Sequence, residues 1–191
     1  MKDKILPLAM AAAAVASGAS HADALMTAGT YTVECRDAAG NVKWVDTIHN
    51  LVTTVGKNDL LDKYLAGSAY TAAFFVGLIS STTYTTGPAA TDTMASHGGW
   101  VEAGGATAPL YSQAARPTAV WSAAAAGAKA LSAALTFSIV TTGGTVKGCF
   151  LTTISTKDGT TGILFSAGTF TGGDKIVAPG DTLSVSYSLT V

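Results

Sequence analysis

The sequence predicts an all-β domain, a jelly-roll-like β-sandwich with one short amphipathic helix. Three observations carry this. From Thr182 to Val191, apolar Leu183, Val185, Tyr187, Leu189 and Val191 alternate with Thr182, Ser184, Ser186, Ser188 and Thr190. Period two marks a strand with one buried and one wet face. Other short runs rich in β-branched and aromatic residues lie between Gly, Pro, Asn and Asp turns. Only one stretch, Thr54–Ala66, shows convincing helical spacing.

Met1–Ala24 has the layout of a secretory signal. Lys2 and Lys4 precede an apolar, alanine-rich run, Ile5–Gly18, and Ala22 and Ala24 form a small-x-small pattern before Leu25. The other reading is an uncleaved N-terminal helix or arm, because alanine is the best helix former. Residues 25–191 form the single sandwich domain.

Thr30–Arg36 and Val42–His49 read as strands joined by Asp37–Asn41, with Gly40 or Asn41 able to take positive φ. Trp44 reads as a packing anchor. In the helix, Thr53 or Thr54 is the cap, Gly67 the C′ residue, and Leu60, Leu61, Tyr64 and Leu65 the buried face. Lys57, Asp59, Asp62 and Lys63 belong to the wet side, and the helix is expected to close one end of the sandwich.

Phe74–Ser80 is a buried strand and Thr82–Gly99 a polar loop. Trp100–Glu102 is a brief strand, Gly104–Pro117 extended coil around Tyr111, and Thr118–Ser122 a strand. Ala123–Ala134 is read as loop leading into the alternating strand Leu135–Val140. Val146–Ile154 is the next strand, followed by a turn over Thr156–Gly162. Ile163–Phe165 and Thr169–Phe170 then make a short strand with a kink at Gly168, and Gly172–Pro179 leads to the last strand.

Charged residues make up 12% of the 191, and the net charge is −1. That is half the usual ~25%, and mean hydropathy is +0.37. Two readings stay open: much of the surface is buried against neighbours, or it is a Ser/Thr/Gly coat of an extracellular β protein. No Lys/Arg cluster exists to neutralise phosphates, which argues against a nucleic-acid partner. No stretch after the leader approaches the ~20 apolar residues of a membrane span. Cys35 and Cys149 read as two small buried hydrophobes in strands, or as a pair closing a long loop in an oxidising compartment.

No catalytic, cofactor-binding or metal-ligating set is expected. His21, His49 and His97 with two distant cysteines lack zinc spacing. Gly143–Gly148 has glycines and Lys147 but not P-loop spacing, and reads as a hairpin turn. Asp46 and His49, three apart on a strand, point to opposite faces. His97-Gly-Gly-Trp100 reads as a turn with a buried tryptophan rather than a binding loop.

The order of several motifs resembles small virion proteins of tailed bacteriophages. They are Asn50-Leu-Val-Thr-Thr-Val-Gly-Lys-Asn58 with Leu60-Leu-Asp62, Phe75-Val-Gly-Leu-Ile79, Ala90-Thr-Asp-Thr-Met-Ala95 and Gly99-Trp100. Tyr111-Ser112, Arg116-Pro117, Val146-Lys-Gly-Cys-Phe-Leu151, Gly162-Ile-Leu-Phe-Ser-Ala167 and Gly180-Asp-Thr-Leu-Ser-Val-Ser-Tyr187 complete the series, over about residues 30–191. The resemblance implies a non-enzymatic head decoration (cement) protein of the virion. Its implied partners are the major capsid protein and copies of itself as a trimer. The rivals are a tail fibre or receptor-binding component using loops such as Thr82–Gly99, and an exported adhesin. A cleaved leader would favour export, because capsids assemble in the cytoplasm.

Overall fold

The structure is a computed structural model and describes residues 27–67, 69 and 73–191. The leader or arm, residues 1–24, lies outside them. Among the described residues, eleven antiparallel strands form one folded sheet around a shared core, a sandwich-like all-β fold with a single short helix.

Strand β1 (Ala28–Arg36) hairpins into β2 (Val42–Val52), and Gly40 takes the positive φ (87°) the turn requires. The Asp37 carboxylate accepts the Ala39 and Asn41 N–H groups, each at 2.9 Å, an Asx-type closure. Helix α1 (Thr54–Leu65) follows, then β3 (Phe74–Ser80), β4 (Val101–Ala103), β5 (Thr118–Ala119) and β6 (Ala128–Ala130). The chain continues through β7 (Leu135–Ser138), β8 (Gly144–Thr152), β9 (Leu164–Thr169), β10 (Lys175–Val177) and β11 (Thr182–Thr190).

The spatial order is β4-β3-β8-β9-β2-β1-β11-β6, with β5 beside β3, β10 beside β8 and β7 beside β11. β2 is the corner: its residues up to Asn50 pair with β1, while Leu51 and Val52 pair with β9. The two halves face each other, and the Tyr31 hydroxyl on β1 lies 3.1 Å from Ser166 Oγ on β9. Tyr31, Val33, Cys35, Ile48, Val76, Leu78, Cys149, Leu151, Leu183, Val185 and Tyr187 are all buried between them. Each such side chain contributes roughly 1.5–3 kcal/mol on burial.

The alternation of β11 translates directly, with Leu183, Val185 and Tyr187 inside and Ser186 and Ser188 outside. Strands β3, β8 and β9 are instead covered on both faces. Behind the main core, Ile79, Phe150, Leu164 and Ala167 pack with Met94 and Trp100 of the long loop. A strand covered on both sides has no wet parity, so Phe74–Ser80 reads as a continuous apolar run.

Several expectations are corrected. The glycine-rich Gly143–Gly148 is not a hairpin turn, because β8 begins at Gly144. Gly148 is needed for close packing: a Cβ there would come within 2.9 Å of the Thr169 backbone. Gly168 does not kink β9; it lets Ile48 approach, with Cγ2 2.5 Å from where a Cβ would stand. The irregularity lies at Phe165, where the register with β8 slips. Thr118–Ser122 shrinks to two strand residues with a bridge at Trp121, and β6 and β10 form where only coil was expected. Cys35 and Cys149 are buried free thiols.

Candidate functional site

Helix α1 begins where predicted. The Thr53 side chain accepts the Gly56 N–H at 3.1 Å, and Gly67 has φ 65° just past the C-cap residue Ala66. Its first turn is bolted to β9. Thr53 N–H donates to the Phe165 carbonyl at 3.0 Å, and Thr53 Oγ1 donates to the Leu164 carbonyl. Phe165 is the extra residue of the register slip, so its carbonyl is presented to the helix rather than to the ladder. Gly56 lies directly on that backbone and is the one buried residue of the helix.

The predicted buried face is not buried. Gly56, Leu60 and Tyr64 share one row at i, i+4, i+8. The row starts against Phe165 and then runs off the end of the sheet. Leu60 is half-buried, Leu61 is 46% exposed, Leu65 73% and Tyr64 87%. The helix therefore closes the sandwich only at its first turn. Beyond it the ring of Phe74, Trp121, Leu151, Phe165 and Leu189 leaves a hollow of about 330 Å³, with Lys129 on its rim. Leu60 is shared with a second hollow of about 390 Å³ walled by Leu61, Tyr64, Leu65 and Val191. It is shared again with a third of about 220 Å³ beside Thr27 and Lys57. These form one apolar tract pivoting on Leu60. The sequence marked the apolar side of the helix; what it did not show is that, among the described residues, nothing covers its later turns.

A crevice of about 280 Å³ lies elsewhere, between the long loop, β4 and the 156–162 turn. In its wall Arg116 grips Glu102 through two bonds of 2.7 Å, Nε to Oε1 and Nη2 to Oε2, and both side chains are buried. Arg116 Nη1 also donates to the Ile154 carbonyl at 2.8 Å, and its guanidinium lies 5.2 Å from the Phe150 ring centre. The Asp158 N–H donates to Glu102 Oε2 at 2.6 Å, while the Asp158 carboxylate accepts the Ala106 N–H at 2.7 Å. Lys157 donates to the Gly104 and Tyr111 carbonyls, and burial holds its ammonium below the usual lysine range. The buried charges are thus spent on one another and on backbone, so this cluster welds loops together. The sequence signal was available: in a chain this poor in charge, Glu102 and Arg116 each stand alone in apolar surroundings.

His97 stacks on Trp100 with ring centres 4.0 Å apart, and its Nδ1 is 3.1 Å from the Trp100 carbonyl. Trp100 is buried and donates its indole N–H to Asp92 at 2.9 Å. The Thr82–Gly99 loop is thereby pinned at its C-terminal end. Asp46 serves Lys175 at 2.7 Å and the Gly172 N–H at 3.0 Å, while His49 is exposed. Among the described residues no three His, Cys, Asp or Glu side chains are placed to hold a metal ion. Likewise, no described helix is long and apolar enough to cross a membrane.

Burial raises the Cys35 thiol, with help from the Asp181 carboxylate 3.8 Å away, to about 12, and burial raises Cys149 as well. Neither is a poised nucleophile, since the thiolate is the reactive form. No protein-family model matches the chain, and no curated protein or solved structure matches it significantly.

Proposed function

We propose that the protein is a non-enzymatic structural subunit of a tailed-phage particle, a head decoration protein that binds the capsid lattice and copies of itself. The observation that carries the assembly part is the apolar tract around Leu60, with Tyr64, Leu65 and Val191 held out in solvent. Exposed apolar tracts of this kind mark interaction sites. A surface short of charge does little to keep such tracts apart. The phage part is drawn from the ordered motifs of the sequence.

The test is stoichiometry in purified particles. A decoration protein is present in proportion to the capsid subunit and leaves the head under conditions that spare the tail. A few copies per particle, remaining with isolated tails, contradict the proposal. Absence from particles, with export to the periplasm or medium, contradicts it more broadly.

A further inference from the structure

We propose that the hollow at the end of the sandwich is a binding site for one small carboxylate with an apolar body, such as a medium-chain fatty acid. This goes beyond the decoration reading and does not depend on it. Three rings, Phe74, Trp121 and Phe165, and three leucines, Leu60, Leu151 and Leu189, line about 330 Å³. The rings brace one another edge to face: the centre of Phe74 is 5.5 Å from that of Phe165 and 6.3 Å from that of Trp121. Four strands, β3, β8, β9 and β11, each supply a wall residue, so the site stands on the sheet rather than on loop tips. Its volume lies at the lower end of the ~300–1,000 Å³ range of small-ligand pockets, which suits one chain or one ring and not a two-chained lipid.

Lys129 sets the charge of the ligand. It is the one charged residue among the described residues that line the hollow. The antiparallel register of β6 with β11 places Lys129 opposite Leu189, and opposite residues carry their side chains together on one face. The lysine therefore stands at the lip, over a leucine of the wall. Its Nζ donates to the Ser122 carbonyl at 3.0 Å, beside Trp121 in the chain. That bond takes one of the three ammonium donors and leaves two. Among the described residues Lys129 has no carboxylate partner, whereas Lys43, Lys63, Lys147 and Lys175 each have one. A carboxylate at the lip meets this cation without a competing anion, and an apolar body below it meets rings and leucines. The Arg116–Glu102 pair is the contrast, because its charges are already bonded to each other. A ligand in the hollow leaves Tyr64, Leu65 and Val191 in solvent, so the face that carries the assembly proposal stays open.

The experiment is calorimetric titration of the purified full chain with decanoate, kept below its micelle concentration. The expected result is saturable binding of one decanoate per chain. Lys129→Glu should weaken it about tenfold, the loss of one charge-assisted contact, and should strengthen decyltrimethylammonium, which has the same tail and the opposite charge. Leu189→Trp, which fills the hollow from its half-buried lip, should abolish decanoate binding. Circular dichroism checks its fold, and Leu60→Trp fills the hollow from the helix side if it does not fold. Tyr64→Ser, on the open helix face, should leave the affinity unchanged. Absence of saturable binding overturns the inference, as does equal decanoate affinity in Lys129→Glu or in a folded hollow-filling variant. Loss of binding in Tyr64→Ser overturns it by moving the amphiphile to the helix face. Affinity that falls as the protein concentration is raised overturns it too, by assigning the hollow to a second copy. The copy number in particles is a separate measurement, so the decoration reading stands or falls on its own.

Discussion

Gly56→Ala should destabilise the protein, although helix propensity alone says the reverse. In an exposed helix interior, alanine is better than glycine by about 1 kcal/mol. Here the helix rests on the Phe165 backbone. An ideal Cβ on Gly56 would stand 2.9 Å from Phe165 Cα and 3.0 Å from its carbonyl carbon, and nearer still to the carbonyl oxygen. Phe165 cannot retreat easily, because its neighbours Leu164 and Ser166 are both paired with β8. The helix must lift instead. Lifting stretches the 3.0 Å bond from Thr53 N–H to Phe165 and the Thr53 bond to Leu164. Overpacking costs about 1–3 kcal/mol, and a loosened cap costs about 1 kcal/mol more. Set against the propensity gain, the net loss is about 1–3 kcal/mol.

Urea unfolding of the variant and wild type at fixed pH measures this, read at unchanged m-value. Hydrogen exchange should show α1 amides losing protection beyond the global change. A comparison variant, Gly67→Ala, has open space around the new Cβ but a positive φ of 65°. It should cost about 1 kcal/mol through backbone strain alone. If Gly56→Ala unfolds at the same or higher urea concentration than wild type, the idea that α1 is seated through this glycine is wrong.

Leu61→Ala should change stability by less than about 0.5 kcal/mol in the isolated protein, because that side chain is outside the core; a loss of several kcal/mol by urea unfolding would place it in a packed site. Arg116→Met should cost about 3–5 kcal/mol by leaving Glu102 buried without its partner, and adding Glu102→Leu should recover most of that; thermal melts of wild type and the two variants decide. Val185→Asp should prevent folding while Ser186→Asp, on the wet face, should fold normally by circular dichroism. Stability should fall as pH rises from about 9 to about 12. The Cys35 thiol ionises near its ordinary 9.0 in the unfolded chain but is pushed up to about 12 in the fold, so the unfolded state releases its proton first. Cys35→Ala should lessen the slope of stability against pH there by up to about 1.4 kcal/mol per unit; an unchanged slope would contradict the assignment.

The strands were legible where their cover is simple. β11 has one face in the core and one in water, so its parity appears in the residue order. β3 has cover on both faces, so its apolar residues are continuous, and run length served in place of parity. β6 and β10 are three residues each and held by pairing to longer neighbours. A strand that short carries no periodicity of its own. Glycine was read correctly where it makes a turn, as at Gly40. It was misread where it lets two backbones approach, as at Gly148 and Gly168, because that role depends on a partner far away in sequence.

The helix shows where periodicity stops being informative. Spacing of Leu60, Leu61, Tyr64 and Leu65 states that these residues share a side; it does not state what lies opposite. The covering layer is set by how far the sheet extends, and that depends on the slip at Phe165 and on the cavity ring of Phe74, Trp121 and Leu189. A helix needing only to cap the sandwich would have no use for apolar residues past its second turn. Exposed Tyr64 and Leu65 cost solubility in a chain with 12% charge and add nothing to the core. Their presence is accounted for if a further layer is laid on them, whether from this chain or from a neighbour. In that sense the one element whose burial was predicted wrongly is the one on which the assembly proposal leans, since the pattern anticipates a contact that the described residues do not make.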